Sequence, residues 1–159
     1  MYFTLRLFVT GFYSGLSPVA SGTTGSLAFL FLWLAPQLLG QPITPVVAAL
    51  IAIALAVAGI VATDTLIKMS VAQGQPLEEL VDPKFVVIDE WAGMAVALIA
   101  VNPTSAVQLL SAFLLFRALD VVKPWPIYLC ERAPGAFGIM LDDIVAGAAA
   151  MVILFLIFH

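Results

Sequence analysis

Charge is what this chain has least of. Only 10% of its 159 residues are Asp, Glu, Lys or Arg, against about 25% in an ordinary soluble domain. Residues 26–63, 91–116 and 144–158 carry none at all. Cysteine is nearly missing: Cys130 stands alone, which excludes an internal disulfide and a four-cysteine zinc site. Arg132 lies two residues beyond it, too near for the loop of a cysteine phosphatase. His159 is the only histidine, so chemistry built on a histidine nucleophile is excluded. Basic residues are few, and the formal net charge of −4 argues against nucleic acid, whose phosphates need Lys and Arg. A cleavable leader is also not expected: Met1–Tyr13 contains Arg6, alternates apolar with polar residues and has no A-x-A site.

What is plentiful is apolar surface. The apolar fraction is 63% and the mean hydropathy +1.13. Such an excess must face something other than water, and lipid is the simplest candidate. The length suits one domain, 1–159, and the pattern predicts an all-α membrane-embedded bundle. Ser26–Leu39 is a first apolar run, closed by Gly40-Gln41-Pro42. Ile43–Thr63 is the strongest spanning candidate, and Asp64 and Lys68 mark its exit. A polar stretch with Gly74, Pro76, Glu78, Glu79 and the turn Asp82-Pro83 follows. Phe85–Val101 and Thr104–Asp120, broken at Asn102-Pro103, are short for full spans and fit tilted, shielded or re-entrant helices. Lys123-Pro124-Trp125-Pro126 ends the second of these, since prolines two apart cannot sit in a helix interior. Pro134-Gly135 is another turn, and a last helix runs from near Phe137 to Phe158. The expectation is five membrane-embedded helices. All six basic residues fall outside the two hairpin turns, which places the N-terminus and both long loops in the cytoplasm and His159 outside. Trp33, Trp91 and Trp125 fit either an interfacial belt or ordinary packing.

The charged stretches carry the chemistry. Asp89 and Glu90 stand inside an apolar helix, where an ionisable residue costs roughly 2.5–3.5 kcal/mol at mid-membrane. They are either functional or boundary acids at a helix N-terminus. Gly93, four residues after Asp89, would let another helix approach beside the carboxylate. Asp142 and Asp143 repeat the design, with Gly147 four residues after Asp143. Two such pairs point to a shared site for a hard cation such as Mg²⁺; two helix caps are the alternative. Arg117 and Asp120 share a helix face, as a simple ion pair or with Asp120 as a metal ligand and Arg117 and Lys123 gripping phosphate oxygens. Gly22-Thr23-Thr24-Gly25-Ser26 before the first apolar helix offers N–H and hydroxyl donors to an anion, or is a plain turn; it lacks the lysine of a Walker loop. Asp64 with Lys68 is a solvated i,i+4 pair or one more metal ligand.

GLSPVASGTTGSL (15–27), DPKFVVIDEWAGM (82–94), FRALDVVKPWPI (116–127) and GIMLDDIVAG (138–147) occur in the order and spacing of one family. Over nearly its whole length the chain resembles phosphatidylglycerophosphatase A. Ser21 stands where Pro is usual, Leu119 where an aromatic is common, and Gly135-Ala136 where Gly-Gly is common. These departures touch loop shape and remove no charged or hydroxyl group. The resemblance implies a helical bundle in the bacterial inner membrane that removes the terminal phosphate of phosphatidylglycerophosphate with Mg²⁺ at the cytoplasmic face. Asp89, Asp120, Asp142 and Asp143, with Glu90 nearby, would hold one or two Mg²⁺ for attack by water. Arg117, Lys123, Thr23, Thr24 and Ser26 would stabilise the phosphate oxygens. The partners are then the phospholipid substrate and the bilayer. The alternative is a cation or proton-coupled transporter using the intramembrane acids, though it should carry acids near mid-span and an inverted repeat. The D-G-x-x-A-R pattern of an alcohol phosphatidyltransferase is absent.

Overall fold

The computed structural model describes residues 1–74, 85–130 and 132–159. The turn expected at Asp82-Pro83, with Glu78 and Glu79 before it, lies outside the described residues. Helices make up the fold: α1 (Tyr2–Val9), α2 (Ser21–Leu38), α3 (Pro45–Ala72), α4 (Ile88–Ala97), α5 (Ala106–Val122), α6 (Ile127–Cys130) and α7 (Gly135–Phe158). Single 3-10 turns at Ser14–Leu16 and Leu98–Ala100 complete it. Among the described residues there is no strand.

Local chemistry sets the boundaries. Thr44 caps α3 by accepting from the Val47 N–H at 3.3 Å, and Pro45 occupies the first helical position, where its missing N–H costs nothing. At 28 residues α3 is about 42 Å long, more than the roughly 30 Å of hydrocarbon. It therefore does not stop at Thr63 as the hydropathy break suggests. It continues past Asp64 and Lys68, whose side chains pair at 2.6 Å across one turn. Ser105 caps α5. Its end is set by Lys123, which takes a left-handed conformation (φ 45°) and returns its N–H to the Leu119 carbonyl just before Pro124. α2 begins earlier than its apolar run, at Ser21, so the Gly-Thr-Thr-Gly-Ser stretch forms its first turns and does not precede it.

Two of these helices, α3 and α7, are long and apolar enough to cross a membrane. α4 and α5, with 10 and 17 residues, fall short of the roughly 20 a span requires, and α2 opens on a small, polar turn. Of the five membrane-embedded helices expected, length and apolar composition therefore support two as spans, and α4 and α5 are short, as their apolar runs predict. Exposed Val46, Leu50, Ile53, Val57 and Val61 form a stripe along α3 at helical spacing, and Val107, Leu110 and Leu114 do the same on α5. A soluble helix turns such a stripe inward; here it faces outward, as lipid contact demands.

α4 is the hub. Ile88, Trp91, Ala92, Gly93, Met94, Ala95 and Ala97 are all buried. α7 packs most extensively against it, with α3, α2 and α5 around the remainder. The protein packed around this short helix shields its backbone ends. Gly93 and Gly147 mark the α4–α7 crossing. A Cβ on Gly93 would lie 2.5 Å from the Asp143 carbonyl oxygen, and one on Gly147 would overlap the Gly93 carbonyl. Trp33 and Trp91 lie in this core and Trp125 is exposed, so only Trp125 is free for an interfacial role.

Candidate active site

α2, α4 and α7 begin at the same end of the bundle, and α5 finishes there. Between them lies a pocket of about 420 Å³, within the range of small-ligand sites. Ala20, Ser21 and Gly22 line it from the start of α2; Val86 before α4 and Asp89 and Glu90 on it; Arg117 and Asp120 on α5 with Lys123 at its end; and Gly135, Ile139, Asp142 and Asp143 on α7. Among the described residues, the opposite end of the bundle, where Pro45, Ile99–Pro103 and His159 meet, is lined by no Asp, Glu, Lys or Arg.

The carboxylates are withdrawn from solvent: Asp120 is 9% exposed, Asp142 6% and Asp143 3%. Burying like charges this deeply is costly unless cations compensate. Two side-chain cations do so in part. Arg117 is ion-paired to Asp120 one turn on, and its Nη1 lies 3.9 Å from Glu90 Oε1. Lys123 Nζ donates to Asp142 Oδ2 at 2.7 Å. Asp89 Oδ1 accepts the Glu90 N–H at 3.0 Å. Glu90 Oε2 and Asp142 Oδ1 remain buried without a hydrogen-bond partner. Buried oxygens left bare in this way suit a hard cation, and the all-oxygen donor set matches Mg²⁺ in type. One oxygen each from Asp89, Glu90 and Asp143 lie within 4.8 Å of one another, and so do one each from Asp120, Asp142 and Asp143.

The pocket thus gathers Asp89, Glu90, Asp120, Asp142, Asp143, Arg117 and Lys123. It does not gather the rest of the expected set. Asp64 stays on α3 in its pair with Lys68, 46% exposed. Thr23, Thr24 and Ser26 do not line the pocket. Thr24 Oγ1 donates to the Ser14 carbonyl at 2.9 Å, and buried Ser26 Oγ to the Gly22 carbonyl at 2.8 Å. What α2 offers instead is its N-terminus. The first intrahelical bond runs from the Thr24 N–H to Ala20, leaving the preceding N–H groups outside the ladder. Ser21 and Gly22 line the pocket from there. The glycines around Thr23 and Thr24 were the available signal; its meaning depended on where the helix starts. Gly22 also provides clearance, since a Cβ would overlap Glu90 Oε1 and come within 2.8 Å of Arg117 Nη2.

An apolar helical bundle with a buried carboxylate pocket, two basic side chains and a free helix N-terminus at one end defines a class: membrane enzymes acting on phosphorylated groups. The family profile described as PgpA, phosphatidylglycerophosphatase A, matches residues 7–158. The phosphatidylglycerophosphatase A of Escherichia coli (strain K12) is 37% identical over 97% of this chain and 83% of its own length. The Haemophilus influenzae (strain Rd) protein of the same name is 35% identical over 96% of this chain and 88% of its own. A Bacteroides thetaiotaomicron protein, named provisionally as a phosphatidylinositol-3-phosphatase, is 35% identical over 91% of this chain and 87% of its own. No solved structure matches. The chain belongs to the phosphatidylglycerophosphatase A family, and it is a phosphatase.

Proposed function

We propose that this protein hydrolyses the terminal phosphomonoester of phosphatidylglycerophosphate to phosphatidylglycerol, with Mg²⁺, at the cytoplasmic face of the bacterial inner membrane. The observation that carries the reading is one pocket lined by five carboxylates, Arg117, Lys123 and the start of α2. Carboxylates alone would repel a phosphate. Asp89, Glu90, Asp120, Asp142 and Asp143 would hold the metal, and their bare oxygens Glu90 Oε2 and Asp142 Oδ1 suit it. Once bound, a divalent cation neutralises phosphate charge and acidifies water for attack at phosphorus.

The chain's own groups supply the remaining work. Arg117 is held by Asp120 and Glu90, so its guanidinium is preset toward the pocket at little entropic cost. Lys123 adds a point charge, and the N–H groups at the start of α2 add dipoles. The attacking water forms the new P–O bond and gives up a proton; the P–O bond to glycerol breaks and its oxygen gains one. Buried carboxylates within one pocket can take the first proton and supply the second. The site lies at the charged end of helices whose other surfaces are apolar, so a phosphomonoester at headgroup depth would reach it while the acyl chains stay in lipid.

The test is phosphate release from phosphatidylglycerophosphate by purified protein in detergent, with Mg²⁺ and after chelation. Release that persists undiminished in chelator would remove the metal-dependent mechanism. Phosphatidylinositol 3-phosphate is the control substrate, given the name of the Bacteroides relative. Equal turnover of both would show that the phosphomonoester alone is recognised. The transporter alternative finds no support in the family relationship or in the placement of the acids at one end of the bundle.

A further inference from the structure

We infer that the pocket holds two divalent cations side by side, with Asp143 lending carboxylate oxygen to both. This rests on the phosphatase reading of the same pocket and adds the number and arrangement of its ions. The acids fall into two triads, Asp89–Glu90–Asp143 and Asp120–Asp142–Asp143, each with ligand oxygens within 4.8 Å of one another. Opposed oxygens around one ion stand twice the metal–oxygen distance apart, about 4.0–4.2 Å for Mg²⁺ and up to about 5 Å for Ca²⁺. Each triad can therefore close on a single ion. Asp143 alone belongs to both, and it is the most deeply buried of the three buried acids, at 3% exposure.

A second observation points the same way. Each triad holds one buried oxygen with no partner: Glu90 Oε2 in the first and Asp142 Oδ1 in the second. The Asp142 side chain is 8% exposed, and its other oxygen already accepts from Lys123. The glycine contact explains how the triads come to share a member, because Gly93 and Gly147 let α4 and α7 approach to backbone contact beside Asp143.

With all five carboxylates ionised, as metal ligation requires, formal charge favours two ions over one. Five carboxylates against Arg117 and Lys123 leave the pocket at a formal −3. One divalent ion brings it to −1, which still repels a phosphomonoester of about −1.5 to −2. Two bring it to +1, which attracts one.

The experiment uses the full chain in detergent, stripped by chelator and loaded with Mn²⁺. Bound manganese is counted after desalting, and the electron paramagnetic resonance spectrum is recorded on the same sample. The expected result is two Mn²⁺ per chain with an exchange-coupled spectrum. Asp143→Asn should abolish the coupling, and Glu90→Gln should leave one uncoupled ion. A single Mn²⁺ in the unmodified protein, or two without coupling, overturns the inference. Should Asp143→Asn fail to fold by circular dichroism, the unmodified protein still decides, and Asp120→Asn (expected: one uncoupled ion) replaces it. Phosphate release is followed in parallel. Turnover with one Mn²⁺ removes this inference and leaves the phosphatase reading. Two coupled ions without turnover remove that reading and leave the inference.

Discussion

Arg117 joins two acids of the site from one side chain. It pairs with Asp120, approaches Glu90 and lines the pocket, at 15% side-chain exposure. Arg117→Ala should lower kcat by about 10²–10³-fold, the range for loss of one preorganised donor to a developing charge. Arg117→Lys should recover only part of it, because an ammonium cannot span two partners as a planar fork does. Full activity in Arg117→Lys would show that charge alone matters. Gly22→Ala is a subtler probe: the added methyl would overlap Glu90 Oε1 and crowd Arg117 Nη2 without touching the bundle core. We expect a fall in kcat approaching 10²-fold, as for a displacement of about 1 Å in a catalytic group, with the melting temperature nearly unchanged. A matching loss of stability would mean the effect is structural. At this scale the acids were legible because ionisable groups stand out in an apolar helix. The roles of Thr23, Thr24 and Ser26 were not, because a hydroxyl at the start of a helix turns to whichever carbonyl lies one turn back, and that depends on the start. Ser26 Oγ goes to Gly22 in this way.

Between elements, the α4–α7 crossing is the joint on which the site depends. Its two glycines meet backbone to backbone, so Gly147→Ala must push the helices apart by its own methyl. Inserting a methyl into a packed contact costs typically about 1–3 kcal/mol, and here separation also moves Asp89 and Glu90 away from Asp143. We expect Gly147→Ala to lose thermal stability and activity together. Leu156→Ala on the same helix, at a position 75% exposed, should change neither. If Gly147→Ala keeps both, the crossing is looser than described. The glycines were readable from their spacing, four residues after Asp89 and four after Asp143, but their mutual contact was not. Pairing two small residues on different helices needs the topology. The helix limits misled for a related reason: hydropathy reports where lipid ends, whereas α3 continues as helix to Ala72 because hydrogen bonding does not stop at a membrane boundary.

Over the whole molecule, the scarcity of charge becomes a polarity of the bundle. The helix starts of α2, α4 and α7 and the finish of α5 form the acid pocket, while the far end near His159 is lined, among the described residues, without acids or basic residues. That separation was legible from the spacing of charged stretches, since apolar runs long enough to enter a membrane must return charge to one of its faces. Which face is a matter of basic residues: Arg117 and Lys123 lie in the pocket, and Arg6 stacks on Phe85, which leads into α4. Flanking basic residues are retained in the cytoplasm, so the pocket end should be cytoplasmic. The lone cysteine gives a direct test. Cys130 ends α6, between the pocket residues Lys123 and Gly135, and is partly exposed. A membrane-impermeant maleimide should therefore leave Cys130 unlabelled in intact cells and label it in inverted membrane vesicles. In a Cys130→Ser background, His159→Cys should show the reverse. Labelling of Cys130 from outside intact cells would invert the orientation and put the acid pocket on the outer face.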